Sequence, residues 1–233
     1  NNTLTSNGRA ALSTEGPVSG GSTVTISGNT VSNNGTNHSG SSRGGMYIGH
    51  TGATVYITNN TVTNNSGAVG ISASGETVVV SQNEVTGNSG IGIRGSRGDN
   101  LPSGTSVITD NLIKGNSGGG FSSAVRSGSI TVSNNRIIDN SGPKGAGIYG
   151  ETSLNGNLTI QNNILHGNSA YGSSEGKDEH GAALWLEAGN SNLSVTGNSI
   201  TGHSGNSLIW IDCFEDLDNC SGGEIWAKNA PTI

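Results

Sequence analysis

The sequence has few of the residues that build an ordinary compact core. Hydrophobic residues make up 30% of its 233 positions, aromatic residues 4% and charged residues 11%. A typical soluble domain is roughly 45–50% apolar and about 25% charged. No apolar run approaches the roughly 20 residues of a membrane-spanning helix, and no basic start with an apolar stretch marks a signal peptide. These shortages exclude one thick core and predict a mature chain that does not insert into a membrane.

Charge is scarce as well. The chain has 10 Lys and Arg against 16 Asp and Glu, a formal net charge of -6. Without a basic run, nucleic-acid binding through phosphate neutralisation is not expected. Just over half of the chain is small or polar, with 40 Gly, 34 Ser, 30 Asn and 22 Thr. The net charge is nevertheless too low for a typical disordered chain. Some regular structure other than a thick hydrophobic core must therefore order it.

A short motif recurs eight times and supplies that order: Asn, any residue, an aliphatic residue, any two residues, Asn. The first asparagines are Asn2, Asn29, Asn60, Asn83, Asn111, Asn135, Asn163 and Asn198. The second position holds Asn7, Asn34, Asn65, Asn88, Asn116, Asn140, Asn168 and, in the last copy, His203. Successive copies start 23 to 35 residues apart, so the motif is fixed while the segments between copies vary in length.

Apolar residues alternate with polar ones just before each motif, as in Val24 and Ile26, which predicts a strand with one buried face. The copy at Asn111 carries Ser106 at one of the inward positions. Glycine-rich segments after the motif lead into a third short strand. Such repeats bury their aliphatic residues only by stacking. The sequence therefore predicts an all-β parallel β-helix of about eight coils over residues 1–206, with three short strands and three turns in each.

The aligned asparagines have a predicted structural role. Asparagine tolerates a left-handed backbone at turns, and stacked amides can hydrogen-bond from coil to coil. We therefore expect an asparagine ladder formed by Asn29, Asn60, Asn83, Asn111, Asn135, Asn163 and Asn198.

The order of strand, Asn turn, strand, turn and glycine-rich strand resembles the right-handed parallel β-helix repeats of the pectate-lyase-like superfamily. Residues 31–34 with 44–48, and 137–140 with 145–148, resemble the aromatic-x-x-Asn and Gly-Gly-Ala-aliphatic repeats of polymorphic outer-membrane-protein passengers and related surface adhesins. The resemblance covers nearly the whole chain, although Val, Ile or Leu stands where that family prefers Phe. It implies the fold and leaves the function open, because this scaffold carries lyases, hydrolases, tailspikes, adhesins and ice binders.

A row of charged residues is the candidate catalytic site. Glu84, Lys114, Arg136 and His166 are predicted to form an outward diagonal over successive coils, with Asp110 and Asp139 at the neighbouring turns. A base, a cation and carboxylates are what proton abstraction beside a sugar carboxylate requires. The resemblance implies Ca²⁺ if the protein is a lyase; otherwise no cofactor or metal is expected. We favour the alternative that these are surface charges pairing across strands.

The candidate binding site is the longest insertion. Residues 175–180 include Asp178 and Glu179, and we expect the insertion to pack near Tyr171 and Trp185 and to contact a partner. Calcium ligation and a simply solvated loop are the alternatives, and the solvated loop is favoured.

The predicted outward face of the strand before each motif is rich in hydroxyls, which suggests an ice-binding surface as a further alternative. Tyr56, Val79 and Val107 interrupt it, and threonine is common on any exposed strand.

The last residues are predicted to close the solenoid. Cys213 and Cys220 are the only cysteines, and a disulfide between them fits an oxidising extracellular location. With Phe214, Trp210 and Trp226 they would form a C-terminal cap over residues 207–233. Because Asn2 begins in mid-motif, the chain is expected to be part of a longer surface protein.

Together these features predict a secreted or cell-surface β-helix with an adhesive or structural role, contacting a glycan or a cell-surface receptor. A polysaccharide lyase or hydrolase acting on an acidic polysaccharide, and an ice-binding protein, are the alternatives. The sparse charge argues against an enzyme.

Overall fold

A computed structural model describes residues 1–8, 10–35, 44–97, 104–171, 181–189, 191–204 and 207–212. The secondary structure of these residues is entirely β, and they include no helix able to cross a membrane. The predictions for Asp178, Glu179, Cys213 and Cys220, and for the cap beyond residue 212, concern residues outside this described part.

The first sheet has one strand for each copy of the motif. Its order is β1 (Thr3–Thr5), β4 (Thr30–Ser32), β6 (Thr61–Thr63), β8 (Glu84–Thr86), β11 (Leu112–Lys114), β14 (Arg136–Ile138), β18 (Ile164–His166) and β22 (Ser199–Thr201). All of these pairings are parallel, and equivalent residues lie side by side, as Val85, Ile113, Ile137 and Leu165 do. This is the stacking that the repeat predicts.

The second sheet has thirteen strands. Those preceding the motif are β3 (Ser22–Ser27), β10 (Thr105–Thr109), β13 (Ser129–Ser133), β17 (Asn157–Gln161) and β21 (Asn192–Thr196). Those following the glycine-rich turns are β2 (Leu12–Glu15), β9 (Ile91–Arg97), β12 (Phe121–Val125), β16 (Ile148–Thr152), β20 (Gly181–Ala188) and β23 (Ser207–Asp212). Two strands run through both regions, β5 (Met46–Thr58) and β7 (Val69–Ser81), and a separate pair is formed by β15 (Ser141–Gly142) and β19 (Ser169–Ala170).

The long strands β5 and β7 depart from the prediction of three short strands in every repeat. Each has 13 residues and continues from the glycine-rich segment into the strand before the next motif. The pairing between β5 and β7 shifts register between His50 and Thr54, so the two segments join at an irregularity within one continuous strand.

The core is a set of aliphatic columns along the axis. Val85, Ile113, Ile137 and Leu165 are fully buried, and so are the inward residues of the second sheet such as Ile130. Ser106 is also fully buried, at the inward position where the other copies carry aliphatic residues. The narrow core explains how 30% hydrophobic residues suffice for this fold.

Two asparagine ladders run along the first sheet, one on each side. In the first, the backbone N–H and the Nδ2 of Asn111 donate to Oδ1 of Asn135 at 2.9 and 3.0 Å, and Nδ2 also donates to the carbonyl of Val80. In the second, Asn116 donates in the same way to Asn140 at 3.0 and 2.9 Å. The predicted ladder is confirmed, and the second asparagine of each motif forms another.

The left-handed backbone lies at a different residue from the one expected. Positive φ occurs directly before the ladder asparagines: Asp110 (57°) precedes Asn111, and Asn64 (53°) precedes Asn65. The prediction that the ladder asparagines themselves take this conformation is wrong. The chain turns one residue earlier, and the ladder residue is thereby free to direct its amide along the stack.

The adjacent residues Asn64 and Asn65 allow a matched test of these two roles. Asn65→Gly removes an almost fully buried amide that bonds Asn34, Asn88 and Val31. We expect it to lower the free energy of unfolding by about 3 kcal/mol or more, since each buried polar group left unsatisfied costs roughly 1–3 kcal/mol. Asn64→Gly, at an exposed left-handed position, should change it by less than about 1 kcal/mol. Urea denaturation measures both, and equal losses would contradict the assignment.

The second ladder ends in a histidine. His203 Nδ1 lies 3.2 Å from the backbone nitrogen of Asn168, which donates, and 3.3 Å from the carbonyl oxygen of the same residue, which accepts. Nε2 lies 3.1 Å from the carbonyl of Leu165, which requires a donor. A neutral imidazole with its proton on Nε2 accepts from the Asn168 N–H and donates to Leu165, whereas the charged ring donates to both carbonyls and no longer accepts from Asn168. Burial lowers the pKa of His203; hydrogen bonds to the Leu165 and Asn168 backbone oppose the shift, and the charge of His166 adds to it.

His203 should therefore make stability depend on pH. Its folded pKa lies below the ordinary value of 6.5, so the folded chain binds fewer protons than the unfolded chain. Its contribution is complete above about pH 6.5 and is lost as the pH falls from there through the lowered folded pKa. His203→Asn, which restores the residue of the other seven copies, should lose less stability between neutral and mildly acidic pH in urea denaturation. Identical pH profiles for the two proteins would refute this role.

Candidate functional site

The predicted charged diagonal lies on the exposed face of the first sheet, spread over two rows. Glu84 and Arg136 share a row, but Leu112 lies between them. Lys114 and His166 share the next row, separated by Ile138. With about 4.8 Å between strands, the backbones of each charged pair stand roughly 10 Å apart. The four predicted catalytic residues are therefore on one face but are not neighbours.

Their individual contacts are local. Lys114 Nζ lies 3.8 Å from Asp139 Oδ2, with both side chains about half exposed. His166 Nδ1 is 2.9 Å from Thr201 Oγ1, and Asp110 accepts a hydrogen bond from Thr109. Among the described residues, no group of three His, Cys, Asp or Glu is placed to hold a metal ion. An exposed ion pair of this kind contributes roughly 0–1 kcal/mol.

The hydroxyl rows lie in register on the second sheet. One row begins with Thr23, Thr54, Thr77 and Thr105. The neighbouring row contains Tyr56, Val79 and Val107 on consecutive strands. The hydroxyl array is thus interrupted over three coils, at the positions expected from the sequence.

A cavity of about 310 Å³ opens on the other part of the second sheet, where the glycine-rich turns lead into β9, β12 and β16. We call it the Tyr149 pocket; it is lined by Ile91, Gly118, Gly119, Phe121, Ser122, Pro143, Lys144, Gly145 and Tyr149. Gly118 and Gly145 are required by close backbone approach, because a Cβ there would lie 2.6 Å from the carbonyl carbon of Gly90 and 2.5 Å from the carbonyl oxygen of Ile148. Pockets of this size, with apolar walls and a few polar groups, are where small ligands bind.

Two carboxylates that are not part of the lining contact the hydroxyl of Tyr149. Tyr149 Oη lies 2.7 Å from Glu151 Oε2 and 3.0 Å from Glu187 Oε2, and these glutamates are in register on β16 and β20. The hydroxyl has one proton, so it donates to one carboxylate at a time. Burial, followed by the hydrogen bond to Glu151 and the charge of Glu187, raises the pKa of Tyr149. The phenol therefore remains a neutral hydrogen-bond donor.

A lysine and a tryptophan complete the cluster. Trp185 Nε1 donates to Glu187 Oε1 at 2.6 Å, and Lys144 Nζ lies 3.8 Å from the same oxygen. Lys144 Nζ also stands 4.3 Å above the centre of the Trp185 ring, a cation–π contact. Trp210 on β23 packs beside this ring, with 5.9 Å between the two ring centroids. Trp185 is only 7% exposed, so it supports the cluster from below while Lys144 faces the pocket.

Comparison with family models gives one assignment. The family described as right handed beta helix region matches residues 1–106 and 67–221. The chain belongs to the right-handed β-helix family. Comparison with curated proteins and with solved structures gave no significant match. The family fixes the fold of this β-helix, and its function has to be argued from its site.

The β-helix places two of the predicted binding residues beside the Tyr149 pocket. Trp185 underlies Lys144 on one side. Tyr171, 52% exposed, donates its hydroxyl to the carbonyl of Ser117 at 3.2 Å, next to Gly118 of the lining. Tyr171 thus bridges from its own coil to a coil 54 residues earlier in the chain.

Sequence reasoning missed Lys144, Tyr149, Glu151 and Glu187. A signal for three of them is present in the sequence. In consecutive copies of the β-helix repeat, the glycine-rich segment continues as aliphatic, aromatic, any residue, Glu: Ile148 to Glu151 and Leu184 to Glu187. Aligning these segments with each other would have placed the two glutamates, and their aromatic neighbours, side by side.

Proposed function

We propose that this β-helix is a secreted or cell-surface module with an adhesive role that binds carbohydrate at the Tyr149 pocket. The observation that carries the proposal is a cavity with an apolar wall whose lining includes a neutral phenol, Tyr149, and an ammonium group, Lys144, both in contact with carboxylates behind the lining. Within the part of the chain that the structure describes, Glu84, Lys114, Arg136 and His166 do not line this cavity.

The chemistry of the pocket suits a sugar. Sugar hydroxyls both donate and accept hydrogen bonds, and Lys144 and Ser122 of the lining offer donors and an acceptor, with Glu151 and Glu187 next to the lining residue Tyr149. The C–H faces of a sugar ring are apolar and can pack against Ile91, Phe121 and Pro143. A single pocket with these two kinds of surface supports binding of one or a few sugar units.

The β-helix favours binding of a ligand without large rearrangement of the protein. Tyr149, Glu151, Trp185 and Glu187 all project from strands whose register is fixed by the neighbouring coils. Groups held on strands lose little conformational freedom when a ligand binds, and less of the binding energy is then spent on ordering them. A rigid rod with a preformed pocket suits attachment to a glycan on another surface.

Two lysines of the chain provide a matched test. Lys144 and Lys114 have side chains 52% and 54% exposed, and each lies 3.8 Å from a carboxylate oxygen. We expect Lys144→Ala to weaken binding of immobilised oligosaccharides by about tenfold, as loss of a central contact typically does. Tyr149→Phe should also weaken it, because it removes the hydroxyl and leaves the ring. Lys114→Ala should leave binding unchanged in the same assay.

The opposite pattern of binding would contradict the assignment of the ligand to the Tyr149 pocket. Loss of binding in Lys114→Ala with retention in Lys144→Ala would place the ligand on the first sheet and favour the polysaccharide lyase hypothesis. Failure of the unmodified protein to bind any neutral or acidic oligosaccharide of a broad panel would refute the proposal.

A further inference from the structure

The chain contains three Asn-Gly dipeptides, at residues 7–8, 34–35 and 155–156. Asn-Gly is the sequence in which an asparagine side chain is most open to attack by the next backbone nitrogen, because glycine has no Cβ to shield it. Two of these dipeptides, at Asn34 and Asn155, lie in opposite environments of the same fold. Their comparison isolates what the β-helix does to the chemistry of an asparagine.

Hydrogen bonds engage the side-chain oxygen and nitrogen of Asn34 and the backbone nitrogen of Gly35. Its side chain is fully buried, and its Oδ1 accepts hydrogen bonds from the backbone and side-chain nitrogens of Asn7, both at 2.9 Å. Its Nδ2 donates to Leu4, Ser32 and Asn65. The backbone nitrogen of Gly35, which would have to attack, donates to the carbonyl of Asn7 at 2.7 Å. Attack on Asn34 therefore requires this part of the ladder to open first.

The same protection recurs along the second ladder. In the following copies the ladder asparagine is succeeded by serine, and the serine nitrogen donates to the preceding ladder asparagine's carbonyl. Examples are Ser66 to Asn34 at 2.7 Å and Ser117 to Asn88 at 3.0 Å. The ladder thus engages the amide group and the potential attacking nitrogen together, copy after copy.

Asn155 has none of this support. It is exposed, with φ of 65°, in the turn that joins β16 to β17, and it follows Leu154, also at positive φ. Within the described residues, no hydrogen bond holds its side-chain amide. The nitrogen of Gly156 donates to the carbonyl of Ser153 at 3.3 Å, a long contact that a small change of the turn breaks.

We infer that Asn155 is a site of spontaneous deamidation in the folded protein, and that the ladder protects Asn34. The Gly156 nitrogen attacks Cγ of Asn155 and loses its proton; the bond from Cγ to Nδ2 breaks, and ammonia leaves. The resulting succinimide is opened by water at either carbonyl, giving aspartate or isoaspartate. The net reaction consumes one water and releases one ammonia, and it needs no catalyst.

The consequences of the reaction differ between the two sites. An acid at position 155 is exposed at a turn and leaves the ladder intact. An aspartate at position 34 would keep the acceptor oxygen but lose the three hydrogen bonds from Nδ2 and would bury a charge. Asn34 is protected only while the chain is folded. Prolonged unfolding therefore allows Asn34 to deamidate, and unfolding that would otherwise be reversible leaves a chemically altered residue in the ladder.

The test is peptide mapping by mass spectrometry of the protein aged at neutral to mildly alkaline pH, folded or in strong denaturant. In denaturant, where both dipeptides are exposed, Asn34 and Asn155 should react at similar rates. In the folded protein Asn155 should react at least about tenfold faster than Asn34, because reaction at the ladder proceeds only through local opening. Asn155→Gly keeps a residue suited to positive φ and should abolish the product at that turn.

Two results would overturn the inference. Equal rates at Asn34 and Asn155 in the folded protein would show that the ladder gives no protection. Absence of product at Asn155 in the folded protein, with product in denaturant, would show that the turn itself is protective.

Discussion

The structure depends on one repeated interaction, in which the backbone N–H and the side-chain Nδ2 of an asparagine donate to Oδ1 of the equivalent asparagine one coil later. This interaction has a direction and a single register, because each amide oxygen receives both donors of the preceding coil. Two such ladders flank the first sheet, five residues apart in the first seven motif copies, and His203 stands at the end of the second ladder. They fix the spacing of the coils, and the thin aliphatic core then fills the space between sheets.

Fixed register turns a sequence repeat into rows of side chains on the surface. Residues at equivalent positions in different coils become neighbours although 23 to 35 residues separate them. Tyr149 and Trp185 are adjacent for this reason, and so are Glu151 and Glu187. The site of this protein therefore arises from two successive repeats that each carry an aromatic residue and a glutamate, next to a coil that carries Ser122 and Ala124 at the same positions. No long insertion is needed to assemble it.

The fold could be predicted from the sequence because the motif is short, rigid and repeated. The alternation of apolar and polar residues before Asn29 or Asn60 predicted the strands. The invariant spacing between the two asparagines of each motif predicted the stacking of the coils. The position of the left-handed residue was missed because asparagine occupies both positions in pairs such as Asn64 and Asn65, and only geometry separates their roles. The Tyr149 pocket was missed for another reason. Its strands stand at variable distances from the motif, so their register cannot be read from the motif alone.

The same contrast explains why function is expected on the second sheet. Lys114 and Lys144 are alike in exposure and in distance to a carboxylate, so the ion pair itself does not distinguish them. Their surroundings do. Lys114 stands on a three-residue strand between two ladders, where any insertion would break the stacking and the surface must stay flat. Lys144 stands on a turn whose length is free to vary, above a tryptophan and beside a cavity. In this protein the concave, chemically mixed surface lies where the ladder does not dictate the path of the chain.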